Sequence, residues 1–138
     1  MGRDFLDTNV LLYAADAAPA SAAKRRIALE VVRAAVADGT GTLSTQVLQE
    51  FFVGATRKLG IRASRARTLV ETFAAMEVVV VRPDMILGAT HLHETASISF
   101  WDALIVTSAA EAGCQRLISE DLQDGRAYDG VRVHNPFK

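Results

Sequence analysis

The sequence predicts an α/β domain in which a short-stranded, mostly parallel sheet lies between two layers of helices. Three observations point there. Short apolar runs alternate with longer stretches of helical periodicity along the 138-residue chain, the order expected of β–α units feeding a parallel sheet. Val78-Val79-Val80-Val81 is an unbroken β-branched run and reads as a strand buried on both faces. Asp102 to Ala112 is helical and apolar nearly all round, which marks a buried helix.

Composition bounds the rest. The length is that of one domain, residues 1–138, with room for a proper core. Half of the residues are hydrophobic, and mean hydropathy is +0.18, which excludes a disordered chain. Net charge is -1 and pI near 6.3, so no global basic footprint exists, although local basic stripes remain open. The one cysteine, Cys114, cannot form an intrachain disulfide, and a reducing cytoplasm is the expected setting. No apolar run reaches membrane-spanning length. The N-terminus lacks a cleavable signal pattern, because Arg3 and Asp4 lead straight into the first strand. There is no internal repeat.

In chain order, Phe5-Leu6 is a buried strand that delivers Asp7 to its C-terminal end, and Thr8-Asn9 turns into a helix through Tyr13. Ala17 to Ala23 reads as a loop, with Ser21 capping a helix that runs to Asp38 and stops at Gly39-Thr40-Gly41. Thr42-Leu43-Ser44 is a short strand. Ser44 or Thr45 caps a helix carrying Val47, Leu48, Phe51, Phe52, Ala55 and Leu59, which Gly60 ends. Ser64 starts another, through Met76. After the valine run, a helix spans about Asp84 to Thr95, and Ser97 to Trp101 is a connector into the helix from Asp102. Arg116 to Ser119 and Val131 to Val133 are the last strands, with Glu120 to Gly130 a polar loop between them.

Four carboxylates then need explaining. Asp7 and Asp121 follow strands, Glu50 borders the apolar face of its helix, and Asp102 opens the buried helix. Each has an ordinary explanation alone. Asp7 can cap the helix after it, Glu50 can be a surface acid, Ser99 with Asp102 fits a capping box, and Asp121 can open a turn. Together they map to one edge of the sheet, where strand ends and helix starts converge. Ligands bind at that edge in open α/β sheets. Clustered carboxylates repel and resist desolvation unless a positive charge sits among them. Oxygen-only ligands select a hard cation, Mg²⁺ or Mn²⁺. A metal ion held in this way suits phosphodiester hydrolysis.

Asp7-Thr8-Asn9-Val10-Leu11-Leu12-Tyr13, Gln49-Glu50-Phe51, Phe100-Trp101-Asp102-Ala103-Leu104-Ile105 and Ser119-Glu120-Asp121-Leu122 resemble the four motifs of the PIN-domain nucleases, in the right order and spacing. In size the chain is most similar to VapC-like toxins of type II toxin–antitoxin pairs. The resemblance implies a three-layer α/β/α PIN-like domain and a Mg²⁺-dependent endoribonuclease that cleaves RNA and is inhibited by a cognate antitoxin protein. It implies Asp7 and Asp102 as primary metal ligands, with Glu50 and Asp121 completing the catalytic pocket directly or through water. Asn9 would hydrogen-bond within the pocket, and Ser119 would match the small polar residue before the fourth acid. Glu120 and Asp124 compete with Asp121 for that fourth place.

Other residues carry paired readings. Arg57, Lys58, Arg62, Arg65 and Arg67 form a run without acids between Glu50 and Glu71 and are candidate RNA-phosphate contacts, or a solvated surface. Lys24-Arg25-Arg26 has the same two readings. His91 and His93 face different directions on one helix and make a poor metal pair. Trp101 is expected to pack rather than to stack on a base. Apolar residues around Phe51-Phe52 and Leu69-Val70-Phe73 exceed what one core needs, which leaves a homodimer surface open. A housekeeping RNA-processing nuclease is the nearest alternative function. A haloacid-dehalogenase-like phosphatase would need a second Asp two positions after Asp7, where Asn9 stands. A non-catalytic binding module, its acids mere caps, would bind no Mg²⁺.

Overall fold

The computed structural model describes residues 2–138. One sheet contains β1 (Asp4–Leu6), β2 (Gly41–Ser44), β3 (Glu77–Val79), β4 (Arg116–Ile118), β5 (Ala127–Tyr128) and β6 (Val131–His134). Its order is β3-β2-β1-β4-β6-β5, parallel throughout except for β5, which runs antiparallel to β6. The helices are α1 (Thr8–Ala15), α2 (Ala22–Asp38), α3 (Thr45–Arg57), α4 (Ala63–Ala74), α5 (Pro83–Ala96) and α6 (Phe100–Glu111). None of them is long and apolar enough to cross a membrane.

Topology sets the layers. The chain steps from β1 to β2 to β3 toward one edge, then returns to place β4 on the other side of β1. Right-handed crossovers put α1–α4 on one face and α5–α6 on the other. The packing agrees: α1 lies against α2 and α3, α3 against α4, and α5 against α6. The expected three-layer α/β/α architecture is present. The reversal of strand order beside β1 opens a crevice beyond the carboxyl ends of β1 and β4. Asp7 directly follows β1, and Ser119-Glu120-Asp121 directly follows β4.

The core is built from the central strands. Phe5, Leu6, Leu43, Leu117, Ile118, Val131 and Val133 are buried, as are Val47 and Phe51 of α3. Phe51 meets Phe73 of α4 edge-on at 5.1 Å. Part of the apolar surplus read as a self-association surface is therefore interior packing, although Phe52 and Val53 stay exposed. Several local signals act as expected. Ser44 caps α3 by accepting from the Val47 N–H at 3.3 Å, and Gly39, at φ +65°, ends α2 in the left-handed region that glycine enters without a steric penalty.

Other expectations are corrected. Ser21 does not cap α2; its hydroxyl donates to Asp16 at 2.7 Å, and a 3-10 turn, Pro19–Ser21, leads into the helix. α4 starts at Ala63, with no side-chain cap. α6 starts at Phe100, because the Ser99 hydroxyl caps it, so Phe100 and Trp101 are helical rather than connector. The valine run is not buried on both faces. β3 is an edge strand that ends at Val79, and Val80 is 65% exposed; a β-branched run reports strand propensity, while burial depends on neighbours it lacks here. The loop from Glu120 to Gly130 contains β5, paired to β6 through a two-residue turn at Asp129-Gly130, both at positive φ. Asp-Gly between short strands is a hairpin signal that the local polarity obscured.

Candidate active site

Asp7 occupies the switch point of the sheet and is 3% exposed. It caps α1, accepting from the Thr8 N–H at 2.7 Å, and its other oxygen accepts from the Ser119 hydroxyl at 2.7 Å and from Asn9 Nδ2 at 3.3 Å. Burial pushes its pKa up to about 7, helped by the negative charges of Asp121 and Glu50 and opposed by the Ser119 and Thr8 donors. Capping and site chemistry are thus not alternatives at this residue. One carboxylate oxygen holds the helix start while the whole group faces other acids.

Asp102 and Asp121 complete the cluster. One carboxylate oxygen from each of Asp7, Asp102 and Asp121 lies within 4.8 Å of the others. The Asp102 N–H donates to Ser99 Oγ at 3.0 Å. Among the described residues the Asp102 carboxylate makes no return bond to the Ser99 N–H, so the capping box is only half formed and the acid stays with the cluster. Its pKa is raised by burial and by the charges of Asp121 and Glu50, against a lowering by Ser99. Asp121 accepts from Asn9 Nδ2 at 3.1 Å, and its own N–H donates to Ser119 Oγ at 3.1 Å. Asn9 Oδ1 accepts from the Glu120 N–H at 3.3 Å, which orients the amide so that its donors face the acids.

The donors inside this cluster, Asn9, Ser119 and the Thr8 backbone, are all neutral. Three crowded carboxylates, two of them with raised pKa values, fit a divalent cation. The all-oxygen set, without His or Cys, matches Mg²⁺ or Mn²⁺.

Glu50 stands beside this triad rather than in it. Thr8 Oγ1 donates to its Oε1 at 2.7 Å and Gln46 Nε2 to its Oε2 at 3.2 Å. Gln46 also donates to the Trp101 carbonyl at 3.2 Å, tying α3 to the start of α6, and its own buried Oε1 has no partner among the described residues. Gly54 helps set this arrangement. A Cβ there would sit 2.9 Å from a Leu12 methyl, so glycine marks where α3 and α1 pack closely, one turn from Glu50. Sequence reasoning missed Thr8 and Gln46 as site residues. Gln46 had a signal, since it lies four residues before Glu50 on the same helix face; Thr8 was legible only as a turn former.

The competing fourth acids are engaged elsewhere. Glu120 accepts from the Tyr13 hydroxyl at 2.7 Å and pairs with Lys24 at 2.6 Å. Asp124 accepts from the Asn135 N–H at 2.9 Å. Asp121 is the acid that the fold brings to Asp7 and Asp102.

An open groove of about 820 Å³ adjoins the acids, with Thr8, Asn9, Glu50 and Asp121 in its wall. Arg57 and Lys58 also line it, whereas Arg62, Arg65 and Arg67 are exposed on the following segment and do not. Trp101 lines the groove too and is 60% exposed. That corrects the expectation that it packs: Ala103, Leu104, Ile105 and Val106 take the buried positions of α6.

The family model described as "PIN domain" matches residues 5–128. No curated protein matches the chain. Among solved structures, Mycobacterium tuberculosis VapC20, titled a sarcin–ricin loop cleaving toxin, is 22% identical at TM-score 0.67, with 86% of this chain and 91% of that one covered. A toxin–antitoxin complex from Klebsiella pneumoniae is 20% identical at TM-score 0.69, covering 96% and 97%. FitAB bound to a DNA fragment is 16% identical at TM-score 0.72, covering 98% and 96%. The structural likenesses establish a shared fold, and the family match, which takes in Asp7, Glu50, Asp102 and Asp121, shows that this chain belongs to the PIN-domain family of nucleases.

Proposed function

We propose that this protein is a Mg²⁺- or Mn²⁺-dependent endoribonuclease, the toxin of a cytoplasmic toxin–antitoxin pair. The observation that carries the reading is the convergence of Asp7, Asp102 and Asp121 oxygens within 4.8 Å in a PIN-domain chain. The solved neighbours described as a sarcin–ricin loop cleaving toxin and as a toxin–antitoxin complex support the toxin role and an antitoxin partner.

Asp7, Asp102 and Asp121 would hold the divalent ion. Bound there, it would polarise the scissile phosphate and lower the pKa of the attacking water. The chain's own residues supply the rest. Ser119 and Asn9 hold Asp7 and Asp121 with neutral donors, which fixes the carboxylates without competing for the cation. Thr8 and Gln46 hold Glu50 beside the triad, where its free lone pairs can accept a proton from water. Arg57 and Lys58, on the groove wall, attract the phosphates that flank the cleaved bond.

The test is direct. Purified protein with total RNA should cleave in Mg²⁺ and not in chelator, and Asp7→Asn should abolish cleavage. Mapping the cut ends gives the target. Induction in cells should arrest growth, and co-expression of a cognate antitoxin should relieve the arrest. Metal-dependent cleavage without growth arrest would instead support the housekeeping nuclease.

A further inference from the structure

Trp101 is the chain's only tryptophan, and it sits where a tryptophan ring is least expected without a partner. It is on the first turn of α6, one residue before Asp102, and is 60% exposed in the groove wall. Large aromatic rings are mostly buried, and leaving one in water forfeits its apolar burial. The ring is not loosely hung. The backbone carbonyl of Trp101 accepts from Gln46 Nε2 at 3.2 Å, the helix start is capped by Ser99, and Phe100 meets the indole edge-on at 5.1 Å. Phe100 itself packs against the small cluster of Ala89, Ala103 and Leu104. The fold therefore fixes an exposed ring at a set place beside the acid triad.

The make-up of the groove wall, cations and an aromatic ring beside an acid triad, narrows the occupant. Arg57 and Lys58 line the same groove as Trp101 and the carboxylates Asp16, Glu50, Glu120 and Asp121; Glu120 is paired with Lys24 and Asp121 belongs to the acid triad that fits a divalent cation, so the wall carries two cations, an aromatic plate and the edge of that triad. A polyanion with flat aromatic bases matches all three features at once. We propose that Trp101 is the stacking platform for one unpaired RNA base next to the scissile phosphate. Stacking on a protein ring requires a base free of its helix, so the platform engages an unpaired base and not a duplex. This inference rests on the reading that the substrate is RNA.

The single tryptophan makes the test specific. The intact protein in chelator, where it does not cleave, is titrated with ten-nucleotide oligo-U, oligo-A and oligo-C, with an abasic strand of the same length, and with the paired duplex. Anisotropy of a labelled strand reads binding, and intrinsic fluorescence reads the ring. Base-bearing single strands should quench Trp101; abasic and duplex strands should not. Trp101→Ala should weaken single-strand binding by about 10- to 100-fold, and Trp101→Phe should fall between it and wild type. The exposed position lets both variants fold, which thermal melts check. Oligomers that bind Trp101→Ala as tightly as wild type, or abasic strands that quench equally, overturn the platform while leaving the RNA reading intact. No binding of any oligomer to wild type, with or without Mg²⁺, overturns both. Unchanged RNA affinity in Trp101→Ala, together with loss of relief by a cognate antitoxin, assigns the ring to a protein partner and overturns the platform.

Discussion

The Ser119 hydroxyl donates a 2.7 Å hydrogen bond to the Asp7 carboxylate, joining the ends of β4 and β1 across 112 residues of chain. That bond works against burial, which has raised Asp7 from its ordinary 3.8 to about 7. Between those values the folded protein keeps a proton that the unfolded chain releases. Stability from this group is therefore full at low pH and is lost as pH rises toward and through 7. In chelator, urea unfolding should show Asp7→Asn gaining stability relative to wild type from pH 4 to pH 8. Ser119→Ala should cost about 1–3 kcal/mol at pH 8, where the donor faces a full charge, and less at pH 5. A pH-independent difference between wild type and Asp7→Asn would remove the raised pKa.

Asp102 separates capping from chemistry. The cap is the Ser99 hydroxyl, which accepts from the Asp102 N–H, a bond that does not need the Asp102 side chain. Ser99→Ala should cost about 1 kcal/mol. It should keep cleavage measurable in Mg²⁺. Asp102→Asn should do the reverse: equal or higher stability in chelator, because a repelled charge is gone, and lost cleavage. A destabilised but fully active Asp102→Asn would place this residue outside the site.

Gln46 offers a coupling test. It spans the Glu50 carboxylate and the Trp101 carbonyl. Gln46→Met keeps the length of the side chain and removes both donors. Cleavage should fall in the wild-type background and change little in Glu50→Gln, giving a coupling of about 0.5 kcal/mol or more in a double-mutant cycle. Equal losses in both backgrounds would reduce Gln46 to a packing residue.

The basic run should act unevenly. Arg57 and Lys58 line the groove, and Arg62, Arg65 and Arg67 do not. Reversing Arg57 and Lys58 to Glu should weaken RNA binding and flatten its salt dependence, by about 0.7 for each single-strand phosphate left without its cation. Metal affinity, read by calorimetry, should change much less. The same change at Arg62 and Arg65 should leave the salt slope near wild type; equal flattening by both pairs would extend the RNA track over α4.

What could be read along the chain is what local chemistry controls. Phe5-Leu6 ending at Asp7, the all-round apolar face of α6 and the glycine stop after α2 all follow from periodicity and turn preference over a few residues. Strand-then-acid spacing therefore located Asp7 and Asp121, and the α/β order placed them on one edge. Distances between segments were another matter. That Asp121 meets Asp7 while Glu120 pairs with Lys24 depends on how the chain leaves β4, where adjacent side chains point apart. That Thr8 and Gln46 hold Glu50 depends on α3 approaching α1 at Gly54. The exposure of Val80 and Trp101 depends on which neighbours never arrive: a strand beyond β3 in one case, a covering element over the groove in the other. Residue type and spacing determined which groups this protein owns, because propensity and capping act within a turn. Tertiary packing decided which of them touch, because contacts across 112 residues are set by sheet register and helix approach, which no local pattern encodes.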